Sequence, residues 1–387
     1  MSLGSYVLMV ILPRHTYKTI NLAYVLTYLS IQHIYRMMTN WGGWEMDVTT
    51  FTMLLTCRLW SIGFVNADGI TDDKKLNEGQ IKRRMKRKPT LLEFLSYCSF
   101  GPTSMVGPFY ELHEYLEFIE FKGVFQRIPS GILPSLRRVL EAFCCLGIHI
   151  VIAIYFPLSL CGNADFPNQY PLLWQRIGFI YISMTGQRYL YYQAWKLGEA
   201  ACIASGLAYS GWDKKSGNPK WEGVISIDIA GVELETSCNP MVKSWNHTVH
   251  LWLNRYVFER TVPHGKRPTM ANNLIVYMVS AFWHGFYPAY YIMFFQLTFL
   301  AEVTKDIYKM RSRFYFIPWP INMLLSNFIT FLFMNYQGVC FCSLGLEESW
   351  NLAKNSGFYY YLVVFPAFFC TRILGVGAIR TPREKKE

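Results

Sequence analysis

The sequence has 387 residues, of which 52% are hydrophobic, 17% aromatic and only 16% charged, and its formal net charge is +11. Soluble domains carry about 25% charged residues, so this composition excludes an ordinary soluble protein and indicates a membrane protein. Much of the positive charge lies in two clusters, IKRRMKRKP around residues 82–88 and the tail 380–387. The positive-inside rule places both clusters on the cytosolic face, where they can contact anionic lipid head groups, and nucleic acid is not an expected partner.

Apolar stretches run along most of the chain. A helix needs about 20 residues to cross the hydrocarbon core. Strong candidates lie at 17–36, 46–66, 137–160, 171–195, 274–302, 317–343 and 357–378, and weaker ones at 1–13, 91–110 and 197–210. These stretches predict about eight to ten spans. Several are interrupted by Gly, Pro or a polar residue, and backbone at such breaks must be buried in protein or line a cavity. We therefore expect one all-α integral-membrane domain over residues 1–387, built around an interior chamber.

Two polar segments, at about 67–90 and 211–243, are predicted to be cytosolic loops. The second contains the alternating piece ISIDIAGVEL, which predicts a short strand or an extended segment. Ser244 follows it and is predicted to cap the start of a helix.

That predicted helix is amphipathic. Lys243, Asn246, His250 and Asn254 recur at three- and four-residue spacing, so they share one face. Such a helix lies at the membrane surface or under a polar cavity.

A single histidine stands in the middle of the apolar run 274–302. Ionisable groups inside membrane spans mark functional sites by default, although His284 could also be satisfied by a neighbouring helix. Pro288 stands four residues later, lacks an N–H and crowds the carbonyl of His284. The helix should therefore open at His284, beside the flexible Gly285, and the opening should face a polar chamber walled by Trp283 and Tyr287. Two other histidines in apolar runs, His33 and His149, are interpreted as structural.

A neutral imidazole in such a chamber suits general-base catalysis, because its pKa of about 6.5 lies near the operating pH. A second polar group should orient the substrate or hold developing charge, and Asn246 is the candidate. Other chemistries lack their patterns: G-x-S-x-G is absent, HEYLE is not H-E-x-x-H, and the ten cysteines form no C-x-x-C pair. No metal or cofactor is expected.

Three segments together resemble the membrane-bound O-acyltransferase family, in its lysophospholipid acyltransferase branch of the plant and fungal type. They are SWNHTVHLWLNRYVFER, VSAFWHGFYPAYY and GPTSMVGPFYELHEYLEF, and IDIAGVELETS adds to them. The resemblance extends from about residue 40 to 375. It implies a multi-helix fold around a membrane-buried chamber, with His284 and Asn246 at the catalytic positions. Ala289 departs from the family pattern, in which glycine often follows the proline.

On this resemblance we expect an endoplasmic reticulum enzyme that transfers the acyl group of acyl-CoA, its co-substrate, to the free hydroxyl of a lysophospholipid. The remaining pocket candidates are Trp283, Tyr287, Pro288, Trp245, His250 and Glu111. The candidates for CoA phosphates are Arg255, Arg260, Lys266 and Arg267. Two alternatives stay open: an enzyme of the same family that acylates a protein or peptide, and a transporter or scaffold that uses the chamber without chemistry.

Overall fold

The computed structural model of the chain describes residues 1–43, 47–104, 106–262, 266–310, 314 and 316–373. Helices dominate these residues, and the only β-pairing described is an isolated bridge between Trp212 and Pro219. In chain order the α-helices are α1 Ser2–Ile11, α2 Arg14–Thr39, α3 Val48–Asp68, α4 Glu78–Arg83, α5 Leu91–Ser99, α6 Leu112–Ile119, α7 Ile132–Tyr155, α8 Phe166–Gln169, α9 Leu173–Ser205, α10 Ile229–Glu233, α11 Cys238–Ser244, α12 His247–Leu253, α13 Glu259–Thr261, α14 Met270–His284, α15 Pro288–Lys309, α16 Trp319–Ser343, α17 Leu346–Asn355 and α18 Tyr359–Phe368.

Three of the described helices, α3, α7 and α16, are long and apolar enough to cross a membrane by length and composition alone. This is fewer than the eight to ten spans predicted. The candidate at 91–110 contains only the nine-residue α5, and the one at 197–210 is the end of the 33-residue α9. The run 274–302 is divided between α14 and α15.

The outer surface of the bundle is apolar where α7 lies. Only Ala142 and Cys145 of its 24 residues are buried, while Leu133, Leu140 and Ile154 are largely exposed. Exposed apolar surface of this extent marks a face that contacts protein or membrane, and the length and composition of α7 suit a membrane span. By contrast α3 is buried on nearly every side, so it forms part of the centre of the bundle.

Three hydrophobic clusters form the core. The first joins α1, α2, α3, α5 and α12, the second joins α14 to α18, and the third joins α7, α9, α11 and α16. The interior cavity described below is lined by residues of all three clusters.

Polar contacts join the segments that flank the two basic clusters along one end of the bundle. Arg372, near the C-terminal end of the described chain, pairs with Asp306 of α15 at 2.5 Å, and Asn273 of α14 donates to Glu302 of α15 at 3.2 Å. Asn272 of α14 donates to the Thr261 carbonyl of α13 at 3.0 Å, and Arg260 of α13 pairs with Asp68 at the end of α3 at 2.6 Å. Residues 82–88 follow α3 in the chain. The basic tail 380–387 itself lies outside the described residues.

Two local predictions need correction. The segment ISIDIAGVEL was predicted to be a short strand or an extended segment. Its residues 225–228 belong to neither a helix nor a strand, but its second half forms the helix α10, because the Asp228 side chain accepts a hydrogen bond from the Gly231 N–H at 3.0 Å and caps a helical turn. Ser244 does not begin a helix but ends α11, and α12 begins only after Trp245 and Asn246.

Candidate active site

The helix that carries His284 ends at that residue. α14 stops at His284, Gly285 has φ +128°, and Pro288 occupies the first turn of α15. The prediction that the helix opens at His284 is therefore confirmed, and the opening is a full break rather than a bend. Proline at the first helical turn is favourable because its missing N–H would have no intrahelical partner there. α14 therefore ends at the residue that carries the imidazole, and α15 begins four residues later at Pro288.

Aromatic rings surround the imidazole of His284. Its ring centroid lies 4.9 Å from that of Phe341 and 5.7 Å from those of Tyr290 and Phe294, and it also contacts the neighbouring Trp283. Among the described residues no side chain or carbonyl is hydrogen-bonded to it. The side chain lines the cavity, so its ring nitrogens are available to a bound molecule while the rings fix its orientation.

Asn246 occupies a strained backbone position between α11 and α12. Its φ and ψ are 41° and 53°, the left-handed region that non-glycine residues rarely adopt. The turn is fixed by its neighbours, since the His247 N–H donates to the Ser226 carbonyl at 2.7 Å and the His250 N–H donates to the Asn246 carbonyl at 2.9 Å. The Asn246 side chain does not cap α12. It lines the same cavity as His284.

The cavity has a volume of about 940 Å³. This is within the usual range of ligand pockets, about 300–1,000 Å³. The predicted residues that line it are His284, Asn246, Trp283, Tyr287, Trp245, His250, Lys243 and Asn254. The polar face predicted for Lys243, Asn246, His250 and Asn254 thus does meet a cavity, although a helix break lies within it.

Pro288 and Glu111 do not line the cavity. Pro288 acts through the backbone break, whereas Glu111 binds neighbouring segments. Its carboxylate accepts hydrogen bonds from Arg255 at 2.9 Å and from the Tyr256 hydroxyl at 2.6 Å. Glu111 was predicted as a pocket candidate, but in the structure it is a partner that joins neighbouring segments. It ties the start of α6 to the π-helical turn Asn254–Phe258.

The four cations considered for CoA phosphates also lie outside the cavity wall. Arg255 is paired with Glu111, and Arg260 is paired with both carboxylate oxygens of Asp68, at 2.9 and 2.6 Å. Lys266 and Arg267 are exposed and make no ion pair with any residue that the structure describes. Of the four, these two are the ones without an ion pair to any described residue.

A charged network in the cavity wall was missed from the sequence. Arg188, in the middle of α9, donates to both carboxylate oxygens of Glu233 at 3.0 Å and also contacts Asn335. The Tyr192 hydroxyl donates to Glu233 at 2.6 Å. Arg188 and Asn335 line the cavity. An arginine within the apolar run 171–195 was itself a signal of a site.

The role of His33, which was predicted to be structural, was also undervalued. The buried residues of α2 recur every fourth position, as Tyr17, Asn21, Val25, Leu29 and His33. His33 therefore belongs to the stripe that faces the bundle, and it lines the cavity. The four-residue spacing of these positions could have predicted that His33 faces the interior of the bundle.

The arrangement can hold a molecule between an imidazole and an amide at a helix break. Among the described residues no three His, Cys, Asp or Glu side chains are grouped as metal ligands. The groups that line the cavity at this place are the imidazole, the amide and the surrounding hydrogen-bonding side chains.

Comparison with known proteins gives consistent similarities. The family model for the membrane-bound O-acyltransferase family matches residues 9–346. Lysophospholipid acyltransferase 2 of Arabidopsis thaliana is 32% identical over 375 residues, covering 93% of this chain and 79% of that protein. Lysophospholipid acyltransferase of Saccharomyces cerevisiae is 28% identical, covering 91% of this chain and 62% of that protein. Membrane-bound glycerophospholipid O-acyltransferase 2 of Homo sapiens is 28% identical, covering 96% and 72%.

Proposed function

The chain belongs to the membrane-bound O-acyltransferase family and is an acyltransferase, and on that premise we propose that it moves the acyl group of an acyl-CoA to the free glycerol hydroxyl of a lysophospholipid. The relatives named above as lysophospholipid acyltransferases support this acceptor. The observation that carries the mechanism is the placement of His284 and Asn246 in the wall of one cavity, each at a helix boundary.

In this mechanism His284 is the general base. Its imidazole takes the proton of the glycerol hydroxyl, and the oxygen attacks the thioester carbonyl of the acyl-CoA. The tetrahedral intermediate then expels the thiolate as the carbon–sulfur bond breaks, and the imidazolium returns the proton to give free CoA. A well-placed base contributes about 10²–10⁴ in rate. The aromatic rings around His284 hold the base in one orientation, which favours a productive approach of the hydroxyl.

Asn246 supplies an amide that can orient the acceptor or donate to the oxyanion. Loss of one such donor costs about 10²–10³ in rate. Its backbone is held in the left-handed region by the hydrogen bonds from the His247 N–H to the Ser226 carbonyl and from the His250 N–H to the Asn246 carbonyl. These bonds set, before substrate binds, the direction in which the side chain leaves the backbone. Lys266 and Arg267 are the exposed cations that could meet the phosphates of CoA.

The test is acyl transfer by the purified chain in lipid nanodiscs. Labelled oleoyl-CoA is supplied with lysophosphatidylcholine, lysophosphatidylethanolamine, lysophosphatidylserine or lysophosphatidylinositol, and labelled diacyl phospholipid is measured. We expect product with at least one acceptor and a loss of about 10² or more in kcat for His284→Ala, with oleoyl-CoA binding retained. His149→Ala is the control, because His149 bonds to the Gly186 carbonyl away from the cavity.

Three results would contradict the proposal. Normal turnover per folded molecule in His284→Ala would exclude His284 as the base. Transfer of the label to a peptide but to none of the lysolipids would favour the protein-acylating alternative, and binding without transfer would favour a transporter or scaffold.

We also infer residence in the endoplasmic reticulum membrane, with both basic clusters on the cytosolic face. The positive-inside rule and the polar contacts that join the flanking segments at one end of the bundle support this topology. Protease treatment of sealed microsomes should cleave near residues 82–88 and in the tail. Protection of both clusters would reverse the assigned orientation.

A further inference from the structure

The end of α14 has backbone groups that its own helix cannot satisfy. The last carbonyls of a helix have no following turn to pair with. Here the Gly285 N–H donates to the carbonyls of Ala281 and Phe282, at 3.1 Å each. The carbonyl of Trp283 has a partner from another helix, the Nε2 atom of His33 on α2, at 3.1 Å. These two residues are 250 positions apart in the chain.

The hydrogen bond fixes which nitrogen of His33 carries its proton. A carbonyl oxygen only accepts, so the Nε2–H of His33 donates and Nδ1 of the neutral ring is left with its lone pair. The same ring lies against the backbone of Gly285. A Cβ atom at position 285 would approach His33 Nδ1 to 3.2 Å and Cγ to 3.4 Å. The ring of His33 therefore touches the residues on both sides of His284.

Residue 283 is also held through its side chain. The Trp283 indole N–H donates to the Met53 carbonyl of α3 at 2.8 Å. Its carbonyl is bound by α2 and its indole by α3, so two helices fix the residue that immediately precedes His284. His33 is itself 95% buried, and buried polar side chains of this kind are costly unless their hydrogen bonds are made.

We propose that His33 is a positioning residue for the catalytic histidine: its hydrogen bond to the Trp283 carbonyl and its contact with Gly285 fix the backbone on which His284 stands. This rests on the proposed role of His284 as the base. His33 takes no proton from the substrate in this scheme. Its effect is on the distance between the base and the hydroxyl, and a displacement of about 1 Å in such a contact costs about 10² in rate.

His149 provides a matched control. Its Nδ1 atom binds the carbonyl of Gly186 at 2.9 Å, so it too joins a histidine ring of one helix to a backbone carbonyl of another. It is not among the described residues that line the cavity. If such bonds serve stability alone, replacing either histidine should have the same kind of effect.

The experiment compares His33→Leu, His33→Gln and His149→Leu in nanodiscs, with labelled oleoyl-CoA and an equimolar mixture of lysophosphatidylcholine, lysophosphatidylethanolamine, lysophosphatidylserine and lysophosphatidylinositol as probes. Rates are divided by the amount of folded protein from size-exclusion chromatography. We expect His33→Leu to lower kcat by about 10–10² with little change in KM for oleoyl-CoA. His33→Gln, whose amide N–H can replace the donor, should recover most of the loss. His149→Leu should lower the folded yield and leave kcat near that of the unchanged protein.

A second arm distinguishes this proposal from the mechanism itself. In a His284→Ala background His33→Leu should have no further effect on the residual rate, because a positioning residue acts only through the group that it positions. A further fall in that background, an unchanged kcat in His33→Leu alone, or no recovery in His33→Gln would each overturn the positioning role. Normal kcat in His284→Ala alone would instead refute His284 as the base.

Discussion

Replacing Asn246 by glycine separates the chemistry of its amide from the conformation of its backbone. Asn246 has φ 41° and ψ 53°, a region that costs most L-residues about 1–2 kcal/mol but that glycine adopts freely. Asn246→Gly therefore removes the amide and keeps the turn without strain. If the amide stabilises the oxyanion or orients the acceptor, kcat should fall by about 10²–10³, or about 2.7–4 kcal/mol of transition-state stabilisation.

The comparison with Asn246→Ala gives the second measurement. Alanine also lacks the amide but resists the left-handed conformation, so its kcat should fall by a similar factor while its free energy of unfolding falls about 1 kcal/mol below that of the glycine variant. Both quantities can be measured on the purified chain, kcat from labelled oleoyl-CoA and stability from thermal melts. Activity close to that of the unchanged protein in Asn246→Gly would refute the reasoning, since it would mean that asparagine is needed there only for its backbone.

Three further outcomes are expected. Gly285→Ala should lower both the melting temperature and kcat, because a side chain at φ +128° meets the ring of His33 and such strain costs about 1–3 kcal/mol; unchanged melting would contradict this. Glu233→Gln should destabilise the fold by about 3–5 kcal/mol, since it leaves Arg188 buried without its anion, and adding Arg188→Met should recover much of the loss in a thermal melt. Glu93→Gln should remove a pH-dependent contribution to the free energy of unfolding, because hydrogen bonding to Arg87 lowers the pKa of Glu93 from 4.5 to about 2. The free energy of unfolding of the unchanged protein should exceed that of Glu93→Gln by its largest amount above about pH 4.5, and this difference should shrink as pH falls toward 2. A difference that does not change with pH would contradict the prediction.

The break at His284 could be predicted from the sequence because its cause is local. Proline lacks an N–H wherever it stands, so the loss of a helical bond at Pro288 does not depend on the rest of the fold. The shared face of Lys243, Asn246, His250 and Asn254 was likewise visible as a spacing. The position of the turn between α11 and α12 could not be predicted, because it depends on a hydrogen bond to the Ser226 carbonyl, which belongs to another segment.

Contacts between distant segments could not be read from spacing. Nothing near His33 in the chain indicates a carbonyl 250 residues away, and nothing near Glu111 indicates Arg255 and Tyr256. The alternation in ISIDIAGVEL predicted a short strand or an extended segment, but the cap by Asp228 and the pairing of Glu233 with Arg188 favour a helical turn in its second half. In each case a tertiary contact decided between local possibilities of similar energy.

The hydrogen bond between His33 and Trp283 has a consequence for how the chain is made. A ribosome adds about 5–20 residues per second, so Trp283 is made roughly 12–50 s after His33. During that interval α2 is already formed, yet the partner of its buried imidazole does not exist. The growing chain must keep that polar group in water, in a lipid head-group layer or against an insertion factor until α14 arrives. Chains that stop before residue 283 should therefore be retained by the insertion machinery or degraded, even though their first helices are complete.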